Sequence, residues 1–299
     1  VAFTTFMALG AWRLMKMGII TKQTKTVETL GSATVICTDK TGTITENKMS
    51  LAELYLFDSD TIIDTKEKLT TEAEEVLNYA MWSSEPIPFD AMEIAIHEAY
   101  SNFESEDERP NFKLVHEYPL SGKPPMMTHV FENESGKKII AAKGAPEALI
   151  EVSHLSEVEK NQVLNAMKTM TSKGFRVLGV GVSDFEGTNY PATQQALKFH
   201  FKGLVAFYDP PKHNIQAVFE TFYKAGIQVK IVTGDNAETT STIAKQVGFK
   251  NADKVLNGDE LMAMDEATLK EKVMETAIFT RMFPEAKLKI IQALKSNNQ

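Results

Sequence analysis

A short β-branched run, Val35-Ile-Cys-Thr38, stops at Asp39, and the small, flexible residues Lys40-Thr-Gly-Thr43 follow at once. An apolar run of this length, bounded by a Gly-containing turn, has the pattern of a buried parallel strand. In α/β sheets, phosphates and other ligands sit beyond the carboxyl ends of such strands. A carboxylate fixed there is ionised at neutral pH and needs no base to act as a nucleophile. Two further runs repeat the arrangement. Gln228-Val-Lys-Ile-Val-Thr233 leads into Gly234-Asp235-Asn236 and a helical segment over 237–247, with Gly248 as its cap. Thr276-Ala-Ile-Phe-Thr280 leads to Arg281-Met-Phe-Pro284 and a helix over 285–295. Strand–loop–helix repetition of this kind predicts a parallel sheet with right-handed crossovers.

The stretch between residues 52 and 203 is different. It holds helical patterns over 71–81 and 92–100, an acidic loop from Glu104 to Glu108, and strand-like runs over 128–132, 138–142 and 175–182. It reads as a second domain inserted into the first. The length of 299 residues suits two domains or more. Hydrophobic residues at 43% and charged residues at 24% are those of a globular chain, which excludes broad disorder. A net charge of −8 without a basic stripe argues against a nucleic-acid partner. The lone Cys37 cannot form an internal disulfide and reads as a small buried hydrophobe. At the amino end, an apolar stretch over 1–10 is followed by Trp12, Arg13, Lys16, Lys22 and Lys25. Its charges lie on the wrong side for a secretory signal, and it is too short to span a bilayer. It fits either the cytoplasmic end of a membrane helix or an amphipathic surface helix.

Phosphoryl transfer needs a nucleophile, a metal and donors that cradle the moving oxygens. Asp39 can supply the first. An Asp39 oxygen and the Thr41 carbonyl are hard ligands of the kind Mg²⁺ takes. Thr233, Gly234 and Asp235 offer a hydroxyl, a close backbone approach and a helix N-terminus toward phosphate. Lys287, opening the last helix, could neutralise charge developing on the phosphoryl group.

The string Asp39-Lys-Thr-Gly-Thr43, followed in order by the Thr233 and Lys287 segments, resembles the haloacid dehalogenase-like superfamily and, within it, the P-type ATPases. The resemblance implies an incomplete phosphorylation domain over 31–52 and 203–299 and an inserted α+β nucleotide-binding domain over 53–202, built on an antiparallel sheet. Residues 1–30 would be the end of a membrane helix and its stalk. It implies that Asp39 accepts the γ-phosphate of ATP, with Mg²⁺ as cofactor, at the cytoplasmic face of a membrane. The partners implied are ATP and the transmembrane and actuator domains of the same parent chain. Lys143-Gly-Ala-Pro-Glu147 matches the box whose Lys lines the adenine pocket and whose Gly144 admits close approach. Glu93 matches the acidic residue that meets the adenine amino group, and Arg176 the Arg that bridges phosphates between the domains. Thr43 and Arg281 join the phosphate side. Asp209-Pro-Pro-Lys212 resembles the hinge returning to the phosphorylation domain. The box favours the subgroup containing calcium pumps.

Three departures matter. Leu120 or Tyr118 stands near the position where these pumps stack a Phe on adenine, which weakens stacking. Lys212 stands where many calcium pumps carry Arg. No TGDGVNDxP segment is present, so the Asp39 strand is expected near a sheet edge. Thr41 occupies the position of the second Asp of the related phosphatases and cannot act as their carboxylate base. A soluble phosphatase and a non-catalytic ATP-binding module stand as the alternatives.

Overall fold

A computed structural model describes residues 2–23, 25–103 and 107–299. Most of the acidic loop expected from Glu104 to Glu108 lies outside the described residues. The chain forms two compact units, one comprising residues 1–40, 213–234 and 247–299, the other residues 41–212 and 235–246.

The first unit begins with helices α1 (Ala2–Lys16) and α2 (Lys25–Gly31) and strand β1 (Val35–Thr38). Helix α1 exposes Phe3, Phe6 and Met15, and the Lys16 ammonium lies 4.0 Å from the centre of the Trp12 ring. Among the described residues no helix is long and apolar enough to cross a membrane.

The second unit follows with strands β2 (Ser50–Leu56) and β3 (Thr61–Asp64) and helices α3 (Thr71–Trp82) and α4 (Ala91–Phe103). Next come β4 (Phe112–Ser121), β5 (Met126–Asn133), β6 (Lys138–Gly144), α5 (Pro146–Val152), α6 (Glu157–Ser172), β7 (Arg176–Val182) and β8 (His200–Tyr208). The chain then returns to the first unit for α7 (Ile215–Lys224) and β9 (Gln228–Val232). Helix α8 (Ala237–Gln246) belongs to the second unit. Strand β10 (Val255–Asn257), helices α9 (Gly258–Ala263) and α10 (Glu266–Glu275), strand β11 (Ile278–Thr280) and helix α11 (Pro284–Ser296) complete the first.

The first unit holds a parallel sheet in the order β1-β9-β11-β10. Strands β9 and β11 are almost wholly buried, as the central strands of a parallel sheet are, with Lys230 the one charged residue among them. Val232, Leu256 and Phe279 pack there against Ile290 and Leu294 of α11 and Leu269 of α10. Strand β1 lies at one edge, as the sequence led us to expect. Strand β10, only three residues long, carries too little pattern to be seen in sequence.

The second unit is built on a seven-stranded antiparallel sheet, β3-β2-β8-β7-β6-β5-β4. Helices α3 and α4 cover one face with Val76, Leu77, Met81 and Ile96, and α5 and α6 cover the other with Leu149, Val163 and Met170. Local signals start these helices. The Thr70 hydroxyl accepts from the Ala73 N–H at α3, and Ser156 and Glu159 form a reciprocal capping box at α6. Pro146 opens α5, where its missing N–H costs nothing.

Where the chain enters and leaves this unit, its two passages are laced together. Thr45 bridges Pro211, the Glu46 N–H donates to the Pro210 carbonyl at 2.9 Å, and the Lys212 N–H donates to the Ile44 carbonyl at 2.9 Å. The Thr45 hydroxyl donates to Asp209 Oδ2 at 2.6 Å in a buried setting, and Lys212 Nζ donates to the Gly42 carbonyl at 2.8 Å. Gly42, at φ +76°, makes the turn that begins this crossing.

Candidate functional site

In the parallel-sheet unit, the register aligns Thr38 of β1 with Ile231 of β9, so Asp39 and Thr233 emerge from the carboxyl ends of neighbouring strands. Asp39 Oδ1 accepts the Lys40 N–H at 2.7 Å, and Lys287 Nζ donates to Asp39 Oδ2 at 2.7 Å. The two side chains are 43% and 39% exposed, open enough to meet a ligand while paired. Helix α11 places Lys287 in its first turn, immediately after Pro284 fixes the start. Thr233 is buried. Its N–H donates to the Phe279 carbonyl and its carbonyl accepts the Met282 N–H, both at 2.9 Å. This holds the end of β9 against the loop leaving β11. Gly234 follows directly. Arg281 stands in that loop at φ +52°, an uncommon conformation for a residue with a Cβ. The structure thus gathers Asp39, Lys287, Thr233, Gly234 and Arg281 on the carboxyl side of one sheet. Such a set provides a carboxylate, a fixed cation, backbone donors and a helix N-terminus, which is phosphate chemistry.

In the antiparallel-sheet unit, Lys143 at the end of β6 is buried. Its Nζ donates to the Ser83 carbonyl at 2.6 Å, to Ser84 Oγ at 3.0 Å and to Glu93 Oε1 at 2.7 Å. An ammonium has three N–H groups, so all are engaged. Burial pushes the Lys143 pKa down, and the Glu93 carboxylate pulls against it. Gly144 next to it is required by packing: a Cβ there would lie 2.5 Å from Met126 Cα and 2.6 Å from the Pro125 carbonyl oxygen. The close approach it admits is that of the neighbouring strand.

Tyr118 packs with the α5–α6 face, and its hydroxyl donates to the Pro191 carbonyl at 2.7 Å. Lys143 faces α3 and α4 instead. Tyr118 is therefore committed elsewhere, and Leu120, 65% exposed, is the apolar side chain left available. Arg176 of β7 lies 3.7 Å from Asp235 Oδ1, and the Thr41 hydroxyl donates to Asp235 Oδ2 at 3.4 Å. Thr43 is exposed in the same loop as Thr41.

Sequence reasoning missed Ser83 and Ser84, which hold Lys143 from the end of α3. Two serines after a helix carry no distinguishing pattern. It also missed His129 of β5, whose pKa is pushed down first by burial and then by Lys143, while Glu117, Glu93 and the Ser84 backbone oppose. Nearby, Glu85 is pushed up by burial and by the carboxylates of Glu117 and Glu93, with Lys143 opposing.

Residues 87–214 match the family model described as P-type ATPase, cytoplasmic domain N. Over 98% of its length the chain is 32% identical to calcium-transporting ATPase 1 of Saccharomyces cerevisiae, and over 97% it is 30% identical to calcium-transporting ATPase 1 of Bacillus cereus. It is 28% identical over 99% of its length to the probable cation-transporting ATPase F of Mycobacterium bovis. The chain spans about a third of these relatives, 35% of each of the first two and 37% of the third.

Proposed function

Because the chain belongs to the P-type ATPase family, we propose that it is the catalytic part of an ATP-driven cation pump, in which Asp39 takes the γ-phosphate of ATP as an aspartyl phosphate. The observation that carries this reading is Asp39 at the carboxyl end of β1, with Lys287 Nζ 2.7 Å from its Oδ2. On this reading a haloacid dehalogenase-like phosphorylation domain is centred on the parallel sheet. The limits expected from sequence, 31–52 with 203–299 and 53–202, differ from those of the compact units, which put 41–52, 203–212 and 235–246 with the antiparallel sheet.

An Asp39 oxygen attacks the γ-phosphorus as the bond to the leaving ADP oxygen breaks. Lys287 stabilises the charge on the phosphoryl oxygens, with Thr233, Gly234 and Arg281 bordering the same edge. The half-exposed carboxylate of Asp39 and the Thr41 carbonyl are oxygen donors suited to Mg²⁺ and would hold it; when bound, that ion supplies further charge neutralisation. ATP binds the antiparallel-sheet unit, its adenine near the Lys143–Glu93 pair and Leu120, with Arg176, Asp235 and Thr43 on the phosphate side. Thr41 offers no second carboxylate for hydrolysis, which favours a long-lived acyl phosphate over phosphatase turnover. The relatives' names make Ca²⁺ the ion to test first.

The test is acid-quenched labelling of the intact parent with ATP carrying a radioactive γ-phosphate, beside Asp39→Asn. Mg²⁺-dependent, hydroxylamine-sensitive label on the wild type and none on the variant is expected. Label that survives in the variant refutes the assignment.

A further inference from the structure

On the α3–α4 face of the antiparallel sheet, three metal-ligating side chains converge that the nucleotide reading leaves unused. Cross-strand register sets Glu117 of β4 opposite His129 of β5, and Glu85, just after α3, closes the third side. One ligating atom from each lies within 4.8 Å of the others. The His129 side chain is fully buried, and neither ring nitrogen has a hydrogen bond of ordinary length. Its Nε2 faces Glu85 Oε1 at 3.8 Å, beyond bonding distance. A buried imidazole whose polar neighbours are the Ser84 backbone and a carboxylate oxygen 3.8 Å away is poorly satisfied, and imidazole nitrogen is the commonest metal donor among side chains.

The surroundings supply the charge a cation needs. His129 aligns with Ala141 and Met127 with Lys143, so His129 and Lys143 share one face of the sheet two positions apart. The carboxylates of Glu93, Glu85 and Asp90 act on the Lys143 ammonium, Glu117 lies with Glu85 and His129, and one Glu93 oxygen, Oε2, is buried without a partner. Carboxylates outnumber ammonium groups around this face, so a bound cation relieves their mutual repulsion. Glu85 is itself held: its N–H donates to Glu93 Oε1 at 3.2 Å, and its carbonyl accepts from His97 Nε2 at 3.0 Å.

We propose that Glu85, Glu117 and His129 form a binding site for a first-row divalent transition cation of the Zn²⁺ or Mn²⁺ kind. One imidazole with two carboxylates suits these ions and not Mg²⁺, which takes oxygen donors. A tetrahedral ion about 2.1 Å from each donor requires donors about 3.4 Å apart, a small contraction that the exposed Glu117 can make by a rotamer change. The site does not depend on ATP, so its failure would leave the pump reading untouched.

Titration calorimetry of Zn²⁺ into the chain, beside Glu117→Gln, Glu85→Gln and His129→Gln, decides the matter. A single saturable site, weakened about tenfold or more in each variant and not competed by equimolar Mg²⁺, is expected. Glu117 is exposed, so Glu117→Gln keeps the fold and carries the test should His129→Gln not fold. Zn²⁺ affinity unchanged in Glu117→Gln and Glu85→Gln, or no saturable binding by the wild type, overturns the proposal.

Discussion

Lys143 and Glu93 neutralise each other inside the antiparallel-sheet unit, 2.7 Å apart with side chains only 5% and 6% exposed. They come from the end of β6 and the first turn of α4, so the pair ties a helix to the sheet beneath it. Removing one partner strands a buried charge, which costs about 3–5 kcal/mol, whereas replacing both with neutral groups costs far less. Lys143→Ala is therefore expected to lower the urea midpoint sharply, and Glu93→Gln/Lys143→Met to recover much of the loss. If Lys143→Ala unfolds at the wild-type midpoint, the pair is not the strut described here.

The Lys287–Asp39 pair has the opposite character. Both side chains are well exposed, and such pairs contribute at most about 1 kcal/mol to stability. Lys287→Met should melt close to the wild type while phosphoenzyme formation in the parent slows about a hundredfold or more, the cost of losing one preorganised donor to transition-state charge. A rate unchanged by the substitution would remove Lys287 from the reaction.

Thr45 supplies the only hydrogen bond among the described residues to the buried carboxylate of Asp209, whose Oδ1 has no partner. Thr45→Val keeps the shape and deletes that donor. It should destabilise the antiparallel-sheet unit by about 2 kcal/mol or more, read by thermal unfolding. A melt equal to the wild type would mean that Asp209 is satisfied in another way.

Gly144→Ala is expected to destabilise through the clash with Met126 and to weaken ATP binding by displacing Lys143. Calorimetry with ATP on a folded sample reads the second effect. Normal affinity would show that the strands can part there without moving the Lys143 ammonium.

Cys37 lies opposite Lys230 in the β1–β9 ladder, yet burial pushes its thiol pKa up and outweighs the lowering by the Lys230 charge. The thiol stays protonated at neutral pH, and thiolate is the reactive form. Alkylation by iodoacetamide should be slower than for a free thiol and should accelerate on unfolding in urea. Fast labelling of the folded chain would contradict this.

How much of this the sequence disclosed follows from how local each signal is. Strands β1, β9 and β11 were legible because an apolar run, a polar stop and a following helix lie within some twenty residues; Asp39 and Thr233 sit at such stops, and Lys287 lies in the first turn of the helix after β11. Gly248 was legible as a helix cap, and it takes φ +67° just after α8. Helix α6 carries a readable Ser156-x-x-Glu159 signature at its start. The hidden part is non-local. The three bonds of Lys143 join residues 50 to 60 positions away, and Tyr118 is removed from the Lys143 side by the alternation of a bulged strand. His129, Glu117 and Glu85 meet only through the β4–β5 register and the turn after α3.

The central claim is that Asp39 becomes an acyl phosphate. The most direct measurement is borohydride reduction of the acid-quenched, ATP-treated parent, followed by peptide mass spectrometry. An acyl phosphate at this position reduces to homoserine, so homoserine at residue 39, dependent on ATP and Mg²⁺, is the result predicted. Intact Asp39 with homoserine or phosphate mapped to another residue would contradict the account.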